Sequence, residues 1–115
     1  MEDGSRSGKL DIKEGTIELR ISVGKVNYSS NGTIPLFQAN PQGGSIFILK
    51  DADNKIKFFY VYLGKGRTDV EYDVSKLDQD KKHVFVFTWS IKDREIKTYI
   101  DGELKSAAKI NYQQA

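Results

Sequence analysis

Cysteine is absent from the 115 residues, and histidine occurs once. Without thiols the chain has neither a disulfide framework nor thiolate metal ligands. That fits a cytosolic protein and a bacterial or archaeal surface domain equally well. Long apolar runs are missing too. None approaches the roughly 18 residues of a helical membrane span, so no membrane insertion is expected. Met1–Leu10 is polar and lacks the apolar stretch of a secretory signal, as a mature or excised domain also would. A dominant charge is lacking, since 18 basic and 16 acidic residues leave a net +2. With no basic field, nucleic acid is not an expected partner. Also missing is any convincing 3.6-residue apolar period over a helix-sized window. There is no internal repeat and no low-complexity tract.

What is there is alternation. A 38% hydrophobic and 11% aromatic content can support one core, and the length suits a single domain. A flexible tail or linker is expected over 1–8 and one domain over 9–115. Thr16–Val23 places Ile17, Leu19, Ile21 and Val23 on one face and Glu18, Arg20 and Ser22 on the other. Further strands are expected at Pro35–Ala39, Ser45–Lys50, Lys55–Leu63, Arg67–Val74, His83–Ser90, Glu95–Ile100 and Glu103–Ala108. Polar turns separate them: the loop Gly24–Thr33, the segment Asn40–Gly44, the tip Asp51–Asn54, and the tight-turn pair Asp101-Gly102. Gly64-Lys65-Gly66 reads as a three-residue hairpin loop with Gly66 left-handed, which pairs Tyr60 with Val70 and Phe58 with Tyr72. Lys76–Lys82 is a polar connection with one helical turn at most. About eight regularly spaced strands argue for an all-β fold, an antiparallel two-sheet jelly-roll sandwich.

Several segments, in order, resemble the concanavalin A-like lectin/glucanase superfamily, above all its laminin-G-like jelly-roll domains. Gly15-Thr16-Ile17-Glu18-Leu19-Arg20-Ile21 resembles the "G-T-I-E-F-W-I" strand near the start of those domains. Pro35-Leu36-Phe37 is similar to the "L-F" strand that follows, and Ile46–Phe58 to the "I-x-L-x-x-D-x-x-N-x-L-x-F" hairpin. His83–Trp89 resembles "W-H-H-V-A-x-T-W", and Glu95–Leu104 resembles "I-K-L-Y-V-D-G-E-L". The set spans roughly residues 15 to 105. Lys82 stands where the family has a tryptophan, and the closing "G-x-I-D-x-V-R-I-Y" pattern is absent after Tyr112. The resemblance therefore implies a shortened member of the family, in an extracellular or cell-surface setting.

Asp69, Glu71 and Asp73 are the carboxylate set worth an enzyme reading. Alternation puts all three on one strand face, with neighbours about 6–7 Å apart, a range that overlaps glycoside-hydrolase separations. The family's glucanases carry E-x-D-x-x-E, however, and that pattern does not occur here. Three acids facing water are more simply a solvated strand face, so no catalytic residue is expected. His83 has no nucleophile-elbow motif to serve. It matches the family's histidine, which implies a structural hydrogen bond at a strand start. Asp51, Asp53 and Asn54 offer oxygens for calcium, which relatives of this fold often bind. They also suit the dihedrals of a tight turn, and no EF-hand spacing is present. The turn reading is preferred, and no cofactor or metal is expected. Lys92, Arg94 and Lys97 read as solvated surface. The sequons at Asn27 and Asn31 read as parts of a polar loop.

Apolarity on two faces is the informative feature. With Ile56, Phe58, Tyr60, Val70 and Tyr72 turned to the core, the other face shows Phe59, Val61 and Leu63 beside Asp69 and Glu71. An apolar patch rimmed by acids suits a stacked sugar ring, and equally suits cover by a partner subunit or by strands missing from a shortened chain. Phe59, Val61, Asp69, Glu71 and Asp73 are thus the candidate carbohydrate- or partner-binding residues. The expected function is a non-catalytic, lectin-like binding or adhesion module for glycan or protein within a larger surface protein. Its rivals are a structural or oligomerisation module without a small ligand, and a β-glucanase-like glycoside hydrolase.

Overall fold

The computed structural model describes residues 10–29 and 32–110. The tail expected over 1–8 and the sequon at Asn31 lie outside them. Eight strands follow in chain order: β1 Glu14–Ile21, β2 Ile34–Ala39, β3 Gly44–Lys50, β4 Lys55–Tyr62, β5 Gly66–Asp73, β6 His83–Ser90, β7 Glu95–Ile100 and β8 Glu103–Lys109. They form two antiparallel four-stranded sheets, ordered β1-β6-β7-β8 and β2-β3-β4-β5. Among the described residues no helix is long and apolar enough to cross a membrane.

Period-two alternation decides which side chains enter the core. Ile17, Leu19 and Ile21 from β1, Phe85, Phe87 and Trp89 from β6, and Ile96 and Ile100 from β7 form one inner face. Ile46 and Ile48 from β3, Ile56, Phe58 and Tyr60 from β4, and Val70 from β5 form the other. The Phe58 ring meets Phe87 edge-on, with centroids 5.4 Å apart, and leans on Trp89. Each such side chain contributes roughly 1.5–3 kcal/mol through burial. The segment before β1 closes one end of the sandwich. The indole N–H of Trp89 donates to the Asp11 carbonyl at 2.8 Å, and the Tyr60 hydroxyl donates to the carbonyl of Ile12.

Three sequence expectations need correction. Val23 was placed on the apolar face of the first strand, but β1 ends at Ile21 and Val23 is exposed. The chain turns there, as the Lys25 N–H donates to the Ser22 carbonyl. Phe58 pairs with Val70 and Tyr60 with Thr68, a slip of two residues from the expected register. The turn is Leu63-Gly64-Lys65, so Gly64 (φ 79°) takes the left-handed position within it, while Gly66, also at positive φ (151°), is the first residue of β5. Because the slip is even, every side chain keeps its expected face. Leu63 sits in the turn itself, exposed, and so leaves the patch it was assigned to.

Candidate functional site

The outer face of the β2–β5 sheet is where the candidate residues meet. In the rows across it, Phe47 lies opposite Phe59 and Phe59 opposite Asp69. On one side of that row Val61 faces Arg67, and on the other Lys57 faces Glu71. The rings of Phe47 and Phe59 stack at 6.0 Å with 25° between their planes. The Arg67 guanidinium lies over Phe59, 5.3 Å from its centroid, and also holds the Asp69 carboxylate at 2.8 Å. Glu71 is flanked by the Lys55 and Lys57 ammonium groups at 3.5 and 3.8 Å. Lys57, Phe59, Arg67, Asp69 and Glu71 enclose a shallow hollow of about 250 Å³.

Four of the five sequence-assigned residues, Phe59, Val61, Asp69 and Glu71, therefore share one patch. Asp73 shares the strand face but points its carboxylate to the next loop. There the Ser75 hydroxyl and backbone N–H hold it below the usual carboxylate range. Sequence reasoning missed Phe47, Lys57 and Arg67. They become neighbours of Phe59 only through the pairing of β3 with β4 and β4 with β5, and no local motif signals that.

The acids of this face are matched with cations or backbone donors. Asp51, in the turn between β3 and β4, is equally engaged. Asp51 Oδ1 accepts from the N–H groups of Asp53 and Lys55, and Oδ2 pairs with Lys57 at 3.1 Å. Burial opposes ionised Asp51, but these donors outweigh it and lower its pKa. Asn54 takes a positive φ of 63°, and its side-chain oxygen accepts from Lys50 Nζ. Asp51 and Asn54 thus have turn roles, while Asp53 takes part through its backbone N–H.

His83 is a cross-link. Its Nδ1 lies 2.7 Å from the Asp101 carboxylate and its Nε2 lies 2.8 Å from the Asp78 carbonyl. Tyr28 packs edge-on against the ring. Burial raises the Tyr28 pKa to about 12, with help from the Asp101 charge. The same Asp101 accepts from the Val84 N–H, so the tight-turn aspartate also anchors the start of β6. A larger hollow, about 500 Å³, lies on the outer face of the other sheet, lined by Glu14, Thr16, Thr88, Glu95 and Lys97. It offers hydroxyls and an internal Glu95–Lys97 ion pair, and the aromatic in its lining, Trp89, is buried. It reads as a solvated strand surface.

These features describe a laminin-G-like jelly-roll sandwich. A solved structure of the mouse laminin alpha1 chain, domains LG4-5, superimposes with a TM-score of 0.63 over 93% of this chain, at 22% sequence identity. The chain spans about a quarter (26%) of the length of that structure. No family model matches the chain, and no curated protein matches it. At this identity the likeness establishes the fold.

Proposed function

We propose that the chain is a non-catalytic binding module whose ligand site is the Phe59 patch, and that the ligand is a saccharide. The observation that carries this is the make-up of the patch. Phe59, stacked on Phe47, lines a hollow of about 250 Å³ together with the charged side chains of Lys57, Arg67, Asp69 and Glu71, room for one sugar ring. The apolar face of a sugar ring stacks on an aromatic, and its hydroxyls bond to surrounding charged groups. As a ring settles on Phe59, exposed Arg67 moves from the aromatic face to the rim. There it and Asp69 meet the hydroxyls. The fold likeness supports a binding role within an extracellular or cell-surface assembly.

The test is a glycan array followed by isothermal titration against the strongest glycan. The expected result is binding that weakens roughly tenfold or more in Phe59→Ala and is unchanged in Thr88→Ala on the opposite sheet. Absence of binding to every glycan would overturn the saccharide reading. So would a Phe59→Ala protein that binds as well as the parent. A solution dimer dissolved by Phe59→Ala would assign the patch to a second copy instead, and β-glucan hydrolysis lost in Glu71→Gln would revive the enzyme.

A further inference from the structure

We propose that two copies of this chain join through the edge of β1, antiparallel, in the register centred on Leu19. β1 is the end strand of its sheet, and among the described residues nothing pairs with its outer edge. An open edge is a template for another strand unless something blocks it. The other three edges are blocked. β2 carries Pro35 and a register break at Leu36. β8 is broken opposite Thr98 and Tyr99, and it closes against β5, with Lys105 over the Tyr72 ring at 5.8 Å. β1 has neither proline nor bulge and pairs with β6 without a break from Glu14 to Ile21.

The residues of β1 match themselves when the strand is reversed. Its outer face reads Thr16, Glu18, Arg20 and its inner face Ile17, Leu19, Ile21. Centred on Leu19, the pairing sets Glu18 opposite Arg20 of the second copy, and Arg20 opposite Glu18. Ile17 meets Ile21 twice, and Leu19 meets Leu19 on the twofold axis, as an isologous contact requires. Other registers fail. A slip of one residue sets inner against outer side chains. Centring on Glu18 or on Arg20 sets like charges face to face. Centring on Ile17 sets Arg20 against Glu14, a favourable pair, but it sets Leu19 against Gly15 and Ile21 against Lys13, so the apolar matches on the inner face are lost.

The core is also less sealed here than beneath β6. Ile17, Leu19 and Ile21 keep 6%, 4% and 8% exposure, while Phe85 and Phe87 on the neighbouring strand have none. Between the sheets on this side is a hollow of about 350 Å³, lined by Leu19, Ile21, Val26 and Leu36. The second copy's strand caps it. An antiparallel pair has its twofold axis perpendicular to the sheet, so both inner faces lie on the same side. The two Phe59 patches then face one direction, and the dimer presents a bivalent surface to ligands arrayed on one plane.

Sedimentation velocity between about 1 µM and 1 mM, with circular dichroism to confirm folding, tests this without any glycan. The unmodified chain is expected to dimerise. Glu18→Arg and Arg20→Glu are each expected to weaken the dimer roughly tenfold or more, since either reversal creates two like-charge contacts across the seam, besides replacing the Glu18–Arg20 ion pair within each copy. The double variant Glu18→Arg/Arg20→Glu is expected to restore it. A chain that stays monomeric throughout overturns the proposal. So does a dimer indifferent to both single reversals, or a double variant that fails to recover.

Discussion

His83 shows what single residues do here. Both ring nitrogens face acceptors, the Asp101 carboxylate and the Asp78 carbonyl, so only the doubly protonated ring satisfies both. Burial works against that charge, but Asp101 and the Asp78 carbonyl outweigh it and raise the pKa above the ordinary 6.5. A raised folded-state value gives stability that is complete below the unfolded pKa and fades as pH rises through the folded one. Asp101, its pKa lowered despite burial by His83 and the Val84 N–H, loses its share at the acid end. The urea midpoint is therefore expected to fall as pH rises from about 6 into the alkaline range, while His83→Gln shows no such fall. Equal slopes in the two proteins would show that the contact carries no pH dependence. The lone histidine at a strand start was legible in sequence, as was the Asp101 turn; their contact was not, since it joins residues from opposite ends of two strands. Lys50 was less legible still. A lysine closing an apolar strand reads as solvated, yet this one is fully buried, with Nζ donating to the carbonyls of Gly32 and Asp51 and to Asn54 Oδ1, each at 2.9 Å. Lys50→Met leaves those acceptors dry and is expected to cost about 2–3 kcal/mol in chemical denaturation.

At the scale of elements, strand positions were readable because each strand carries its own alternation. Partners were not, except across short turns. Even there the β4–β5 turn misled, because Gly64 and Gly66 both suit a left-handed position and only packing chooses. Gly44 illustrates a different demand. A Cβ there would lie 2.2 Å from the Val61 carbonyl oxygen and 2.4 Å from Ile12, because the start of β3 is pressed between β4 and the segment before β1. The oxygen is backbone and cannot swing away. Gly64 at the neighbouring tip has φ 79° but open space around it. Gly64→Ala is therefore expected to cost about 1 kcal/mol through strained dihedrals alone, and Gly44→Ala at least twice that through overpacking. Thermal melts are expected to show the larger drop for Gly44→Ala; a reversed order would mean that the β3 start yields easily.

The whole molecule was legible as a two-sheet sandwich, because eight half-buried strands have few other ways to hide their apolar faces. Its sheet order was not legible. β1 pairs with β6 across most of the chain, and no pattern within either strand names the other. That pairing leaves the sandwich closed on the β5–β8 side and open on the β1–β2 side, so its stability is expected to be uneven. Amides of β3, β4, β6 and β7, flanked on both sides by paired strands, should exchange only on global unfolding. Those of β1 and β2 should exchange faster in dilute solution. The two edges part company as concentration rises. A β1–β1 contact protects the β1 amides that point outward, whereas Pro35 and the break at Leu36 keep β2 unpaired. Hydrogen–deuterium exchange across a concentration series is therefore expected to slow in β1 and stay constant in β2. Slowing in β2 as well would mean that the contact is not confined to the β1 edge, and slowing in neither strand would count against a β1–β1 contact.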